Sequence, residues 1–226
     1  MKIGVFSVLF SQQPLEPALD YIAEAGVEMV ELGTGNYPGN AHCDLDKYLG
    51  NSAAQKELLK AVESRGLSIS ALSCHGNPVH PDKNFAKDNH ETHRKTVQLA
   101  QELGVGVVVN FSGCPGDGPD AKAPNWITCP WPPDFIDTLN WQWDECLVPY
   151  WKEEAKFARE HNVKIALEMH PGFCVYNVDT MLKLREACGE EIGCNFDPSH
   201  LFWNGVDPSA AIRKLGDAIF HAHAKD

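Results

Sequence analysis

Apolar residues recur along this chain at two alternating spacings. Short β-branched runs at 2–8, 27–32, 68–73, 105–111, 164–169, 192–196 and 219–224 read as strands. Between them, at 15–25, 53–65, 89–103, 143–161, 178–188 and 208–215, apolar positions return every three or four residues, the period of a helix with one buried face. Gly26, Gly66, Gly104 and Gly189 stand where several of these stretches end, as expected of a left-handed residue closing a helix before the next strand.

A strand followed by a helix, repeated in order, is the pattern of parallel strands joined by crossovers. No glycine-rich phosphate loop follows the first strand, so the repetition points to a (β/α)8 TIM barrel rather than a doubly wound nucleotide fold. Gly33-Thr34-Gly35 lacks the rest of the six-residue glycine fingerprint and reads as a tight turn at a strand end. About seven of the eight strands are counted, in a single domain over 1–226. A seven-stranded barrel would leave two open edges, so a C-terminally incomplete barrel is expected, with a short, inactive chain as the alternative. Residues 112–134, rich in Pro, Gly and Trp, read as a long loop after the fourth strand, at the end of a barrel where function resides.

Composition narrows the partners more than the fold. With 43% hydrophobic and 22% charged residues, the chain has the makings of one globular domain with a large core. Its formal net charge of -12, spread along the sequence, would repel polyanions, so nucleic acid and anionic membranes are not expected partners. The start lacks the apolar stretch and cleavage site of a signal peptide, and no run approaches the ~20 residues of a membrane span. A cytoplasmic location is expected. The eight cysteines never form Cys-x-x-Cys, which disfavours zinc ribbons and dithiol motifs and fits reduced thiols. What remains is a small-molecule substrate, on a chain compatible with a homo-oligomer.

The informative polar residues stand at strand ends, where barrel enzymes place their chemistry. The fifth run ends Ala166-Leu167-Glu168-Met169-His170-Pro171, the sixth continues into Asp197-Pro198-Ser199-His200, and the seventh gives His221-Ala222-His223-Ala224-Lys225-Asp226. Each has a plainer reading: Glu168 in a buried salt bridge, Asp197 capping a turn, His223 a core histidine. Two carboxylates and an imidazole at matching positions argue instead for a metal site of Glu168, Asp197 and His223. Mixed oxygen and nitrogen ligands suit one divalent ion, Mn2+ first, with Mg2+, Co2+, Fe2+ or Zn2+ as alternatives. His221 shares the strand face of His223 one layer deeper and reads as packing or support.

On these residues the chain resembles the xylose isomerase-like TIM barrel superfamily of sugar isomerases and epimerases, which includes D-tagatose 3-epimerase and inosose dehydratase and has an endonuclease branch. The resemblance implies metal ligands at Glu168, Asp197 and His223, with a further glutamate on an eighth strand that the given sequence does not reach. It implies a sugar or polyol substrate, enolised next to its carbonyl through an enediolate. Glu168 would be both ligand and base, and His200 would hydrogen-bond a substrate oxygen as a second catalytic group. Lys225 is a candidate for charge stabilisation, and His75 and Glu31, after the third and second strands, for lining the pocket. Trp126, with Trp131, Trp141 and Trp143, could stack on a sugar or pack the long loop on itself. The same enolisation serves a lyase or dehydratase acting on a keto-sugar, keto-glycoside or inosose. An abasic-site endonuclease would need a multi-histidine zinc cluster and basic loops, and a non-enzymatic sugar-binding barrel would show no proton exchange.

Overall fold

The computed structural model describes residues 2–225; Met1 and Asp226, the first and last residues of the sequence reading, lie outside the described residues. In chain order the strands are β1 (Gly4–Phe6), β2 (Met29–Gly33), β3 (Ser68–Ser73), β4 (Val107–Asn110), β5 (Lys164–Glu168), β6 (Ile192–Phe196) and β7 (Ile219–Ala222). The helices are α1 (Leu15–Glu24), α2 (Leu45–Tyr48), α3 (Ser52–Glu63), α4 (Lys83–Leu103), α5 (Pro133–Trp141), α6 (Val148–Glu160), α7 (Val178–Cys188) and α8 (Pro208–Leu215). Every strand expected from the apolar runs forms, and the fold is of the α/β, TIM-barrel class. Among the described residues no helix is long and apolar enough to cross a membrane.

The residues group into two compact units. One contains the chain up to His75 together with Glu91–Val109 and His161–Val163; the other contains Gly76–His90, Asn110–Glu160 and the chain from Lys164 onward. In the first unit β1, β2 and β3 pair in parallel in chain order, and β3 pairs with β4 through Leu72↔Val108 and Ser73↔Val109. Ala18, Leu19 and Ile22 of α1 and Leu58 and Val62 of α3 are buried at helical spacing, which explains why these stretches read as amphipathic. Gly66 and Gly104, at φ 73° and 70°, adopt the left-handed conformation that a side chain would resist. The Gly33-Thr34-Gly35 turn is a tie: the buried Thr34 hydroxyl donates to the Ser73 carbonyl at 3.1 Å and pairs with the Thr96 hydroxyl at 2.8 Å.

In the second unit β5, β6 and β7 are parallel, with a core of Leu147, Trp151, Ile165, Leu167, Met181 and Ile192 among others. The helical stretch expected at 143–161 begins earlier, at Pro133, and reaches α6 through a π-helical segment, Gln142–Leu147. The loop expected over 112–134 is shortened only at its end, because proline in the first turn of a helix forfeits no hydrogen bond. Pairing between β6 and β7 slips once: Cys194 faces Ile219 but Asn195 faces His221, leaving Phe220 as an extra residue. Gly193 accommodates that residue, since a Cβ there would meet the Phe220 ring at 2.3 Å. The bulge sets the direction in which β7 delivers His221 and His223.

Candidate active site

Three strand ends of the second unit meet. Glu168 closes β5, and the parallel register places Asn195 of β6 directly beside it. Asp197 follows β6 and caps the 3-10 helix Pro198–Asn204: its Oδ1 accepts from the Ser199 amide at 3.0 Å and the Ser199 hydroxyl at 2.7 Å. The plainer reading of Asp197 as a turn cap is therefore true of one oxygen, while the other, Oδ2, faces elsewhere. The turn brings His200 back over the carboxylates, its Nε2 2.9 Å from Glu168 Oε1 and 3.3 Å from Asp197 Oδ2. One ligand-type atom from each of Glu168, Asp197 and His200 lies within 4.8 Å of the others. From β7, the His223 amide donates to the Phe196 carbonyl at 2.9 Å, and its Nδ1 stands 3.1 Å from Glu168 Oε2. Lys225 extends its ammonium to Asp197 Oδ2, with Nζ 3.5 Å from His200 Nε2.

Two carboxylates this deep, 4% and 0% exposed, would be strongly destabilising without cationic compensation. His200, His223 and Lys225 crowd the oxygens that face inward, Glu168 Oε2 and Asp197 Oδ2 among them. Asp197 Oδ2 is buried and accepts no conventional hydrogen bond; its neighbours there are the Lys225 ammonium and the His200 ring. The 3.1 Å between Glu168 Oε2 and His223 Nδ1 is close to the ~3 Å that separates adjacent ligands on an ion with bonds of ~2.1 Å. The oxygen and nitrogen donors that gather are those of Glu168, Asp197 and His200, a set that suits a divalent cation, while His223, expected as the third ligand, approaches Glu168.

Aromatic rings flank this cluster. His170 packs on His200 at 4.1 Å between centroids and on Phe111 at 4.9 Å, and Phe111 stacks on Phe173 at 4.2 Å. Burial, first, holds the His170 pKa below the usual histidine value, against the opposing hydrogen bond to the Pro171 carbonyl. The sequence assigns His170 no role, although it lies only two residues beyond Glu168 at the end of β5. Trp126 makes edge contacts with Tyr176 at 5.3 Å and Trp203 at 5.8 Å. Trp143 is buried with the Lys183 ammonium over its face, and Trp131 is 72% exposed, so the four loop tryptophans do not act as one wall.

Glu31 and His75 belong to the first unit and are both buried. The Ser73 hydroxyl donates to the Glu31 carboxylate in a short hydrogen bond, and the His75 carbonyl accepts from the Tyr37 amide at 3.0 Å.

Residues 19–226 match the family described as xylose isomerase-like TIM barrel. The uncharacterized protein YfiH of Bacillus subtilis (strain 168) is 42% identical over 229 residues, covering 100% of this chain and 73% of that protein. Inosose dehydratase of Clostridium tetani (strain Massachusetts / E88) is 32% identical over 84 residues, covering 34% of this chain and 28% of the dehydratase. Among solved structures, 3-keto-D-glucoside 4-epimerase YcjR from E. coli superposes with a TM-score of 0.71 at 14% identity, over 100% of this chain and 79% of that one, a likeness of fold.

Proposed function

This chain belongs to the xylose isomerase-like TIM barrel family, and from that premise we propose that it is a divalent-metal-dependent sugar isomerase or epimerase. The observation that carries the reading is the meeting of Glu168, at the end of β5, with Asp197 and His200, which follow β6, and with His223 against the Glu168 carboxylate. Glu168 Oε2, Asp197 Oδ2 and His223 Nδ1 would hold the cation. A bound divalent ion, Mn2+ first with Mg2+, Co2+ or Zn2+ as alternatives, supplies positive charge that lowers the cost of enolising a carbonyl.

The chain's own residues do the rest. Glu168 Oε1, the oxygen away from His223, accepts the proton from the carbon beside the carbonyl; in an isomerisation it returns the proton to the neighbouring carbon on the same face, and in an epimerisation a second acid on the opposite face supplies the new proton. His200 Nε2, 2.9 Å from that oxygen, is within reach of a substrate hydroxyl or carbonyl and orients it. Lys225 offers a cation to the oxygen that gains charge, and the ring of Trp126 offers a face to the sugar. The half-buried, stacked rings of Phe111 and Phe173 beside His170 limit the access of water to the proton in transit. The small, neutral-to-polar substrate class agrees with the acidic balance of the chain, which disfavours nucleic acid.

A second reading, a dehydratase acting on a keto-sugar or inosose, is favoured by the local match to inosose dehydratase. It shares the proton abstraction and differs in the next step, loss of hydroxide β to the carbonyl as water. The test is incubation of the full-length, Mn2+-loaded protein with ketopentoses, ketohexoses, keto-glycosides and an inosose in D2O, followed by NMR. Deuterium next to the carbonyl with the substrate's hydroxyls retained supports the isomerase or epimerase. An unsaturated product supports the dehydratase. Absence of exchange with every compound while metal is bound overturns both.

A further inference from the structure

Asn195 is completely buried in the middle of β6, in a strand whose other side chains are apolar or glycine. A buried carboxamide there is anomalous unless it does something, because it must find partners for two donors and an acceptor. Its Nδ2 donates to Glu168 Oε2 at 2.7 Å, and the same nitrogen stands 3.1 Å from His223 Nδ1. Its Oδ1 is buried without a hydrogen-bond partner.

The amide cannot turn over to relieve that oxygen. With Oδ1 and Nδ2 exchanged, a carbonyl oxygen would press on an ionised carboxylate oxygen, and a charge-assisted hydrogen bond would be replaced by repulsion. Asn195 is therefore held in one orientation by Glu168, and the orphaned acceptor is tolerated for that single bond. Geometry reinforces the assignment. Asn195 is the register partner of Glu168 on one side and of His221 on the other, at the point where the Phe220 bulge shifts the pairing. The two carboxylate oxygens are then distinguished: Oε2 is fixed by Asn195 beside His223, and Oε1 meets His200.

We infer that Asn195 is a positioning residue, whose carboxamide fixes Glu168 Oε2 in place for a divalent cation and thereby leaves Oε1 as the oxygen that handles the proton. The inference rests on the metal-dependent reading above. A partner one step behind a ligand of this kind changes metal affinity by about 10–100-fold when removed.

The experiment is a Mn2+ titration of the full-length protein against a competing fluorescent chelator, with the metal-free melting temperature measured alongside. Asn195→Leu preserves approximate shape and removes both the donor and the orphaned acceptor. It should weaken Mn2+ binding by about 10–100-fold with only a small change in metal-free melting temperature. Asn195→Ala, which also tolerates backbone adjustment, should weaken it similarly. Ile192→Ala, in the same strand but within the apolar core, should lower the melting temperature and leave the Mn2+ dissociation constant of the folded protein unchanged. Wild-type affinity in both Asn195 variants overturns the inference and leaves the metal reading standing. Variants that fold neither with nor without metal make Asn195 a structural residue and overturn it too. A wild-type protein that binds no Mn2+ removes the metal reading, and the inference with it.

Discussion

Nε2 of His200 stands 2.9 Å from Oε1 of Glu168, although 32 residues separate them in the chain. In the proposed function the two residues have different tasks. Glu168→Gln retains an oxygen near the same place but accepts no proton, so solvent exchange beside a sugar carbonyl should fall by about 10²–10⁴-fold with some metal retained. His200→Ala removes a group that orients substrate, so KM should rise and metal content should stay at the wild-type level. Wild-type exchange in metal-loaded Glu168→Gln would move the base to another residue.

Asp197 serves two ends of one carboxylate, and substitutions should separate them. Asp197→Asn can still cap the turn through Oδ1, so its metal-free stability should remain near wild type while it loses the cation. Asp197→Ala should lose the cation and about 1 kcal/mol more, the usual contribution of an N-cap side chain. Metal analysis by mass spectrometry and urea unfolding in EDTA provide the two readouts. Equal metal content in wild type and Asp197→Asn would remove the residue from the metal site.

These roles show what a sequence can and cannot disclose here. The strands were legible because Ile165, Leu167 and Ile192 are buried on β-branched runs with clear ends, and Glu168 and Asp197 were legible because carboxylates interrupt those ends. His200 was visible as a motif member, but its approach to Glu168 depends on a 3-10 turn that no periodicity marks. Asn195 carried no signal, since a lone asparagine inside a strand resembles many turn residues until the β5 register is known. α5 was hidden by the prolines and tryptophans around it, whose composition argues for loop even where Pro133 merely begins a helix. The Phe220 bulge is a property of two strands together and cannot be read from either.

Trp151 ties α6 to the loop after β4. It is fully buried, and its indole Nε1 donates to the Ser112 carbonyl at 2.8 Å. Trp151→Phe fills most of the space but leaves that carbonyl without its donor, so a loss of about 1–3 kcal/mol is expected, with Trp151→Ala costing about 3–5 kcal/mol. Urea unfolding should show a lower midpoint at unchanged slope. A Trp151→Phe midpoint equal to wild type would mean that the Ser112 carbonyl finds another donor.

Arg159 near the end of α6 and Glu191 just before β6 form a two-pronged pair, Nε to Oε1 and Nη2 to Oε2, each at 2.7 Å. The Arg159 hydrogen bonds, first, hold the Glu191 pKa below its usual value, against the opposing effect of burial. Because the folded pKa is depressed, the pair's stabilisation is present above the unfolded carboxylate value and is lost as pH falls through the folded one. Its size is limited by exposure: the Arg159 side chain is 61% and the Glu191 side chain 20% accessible. Only a small contribution is therefore expected at neutral pH. Glu191→Gln should be slightly less stable than wild type at pH 7, and the gap should close on acidification below the ordinary glutamate range. Urea midpoints for both proteins, measured in EDTA across that interval, test the sign directly. A gap that persists at acidic pH would assign the effect to packing or hydrogen bonding by the neutral side chain, since protonated wild-type Glu191 and the glutamine carry the same charge.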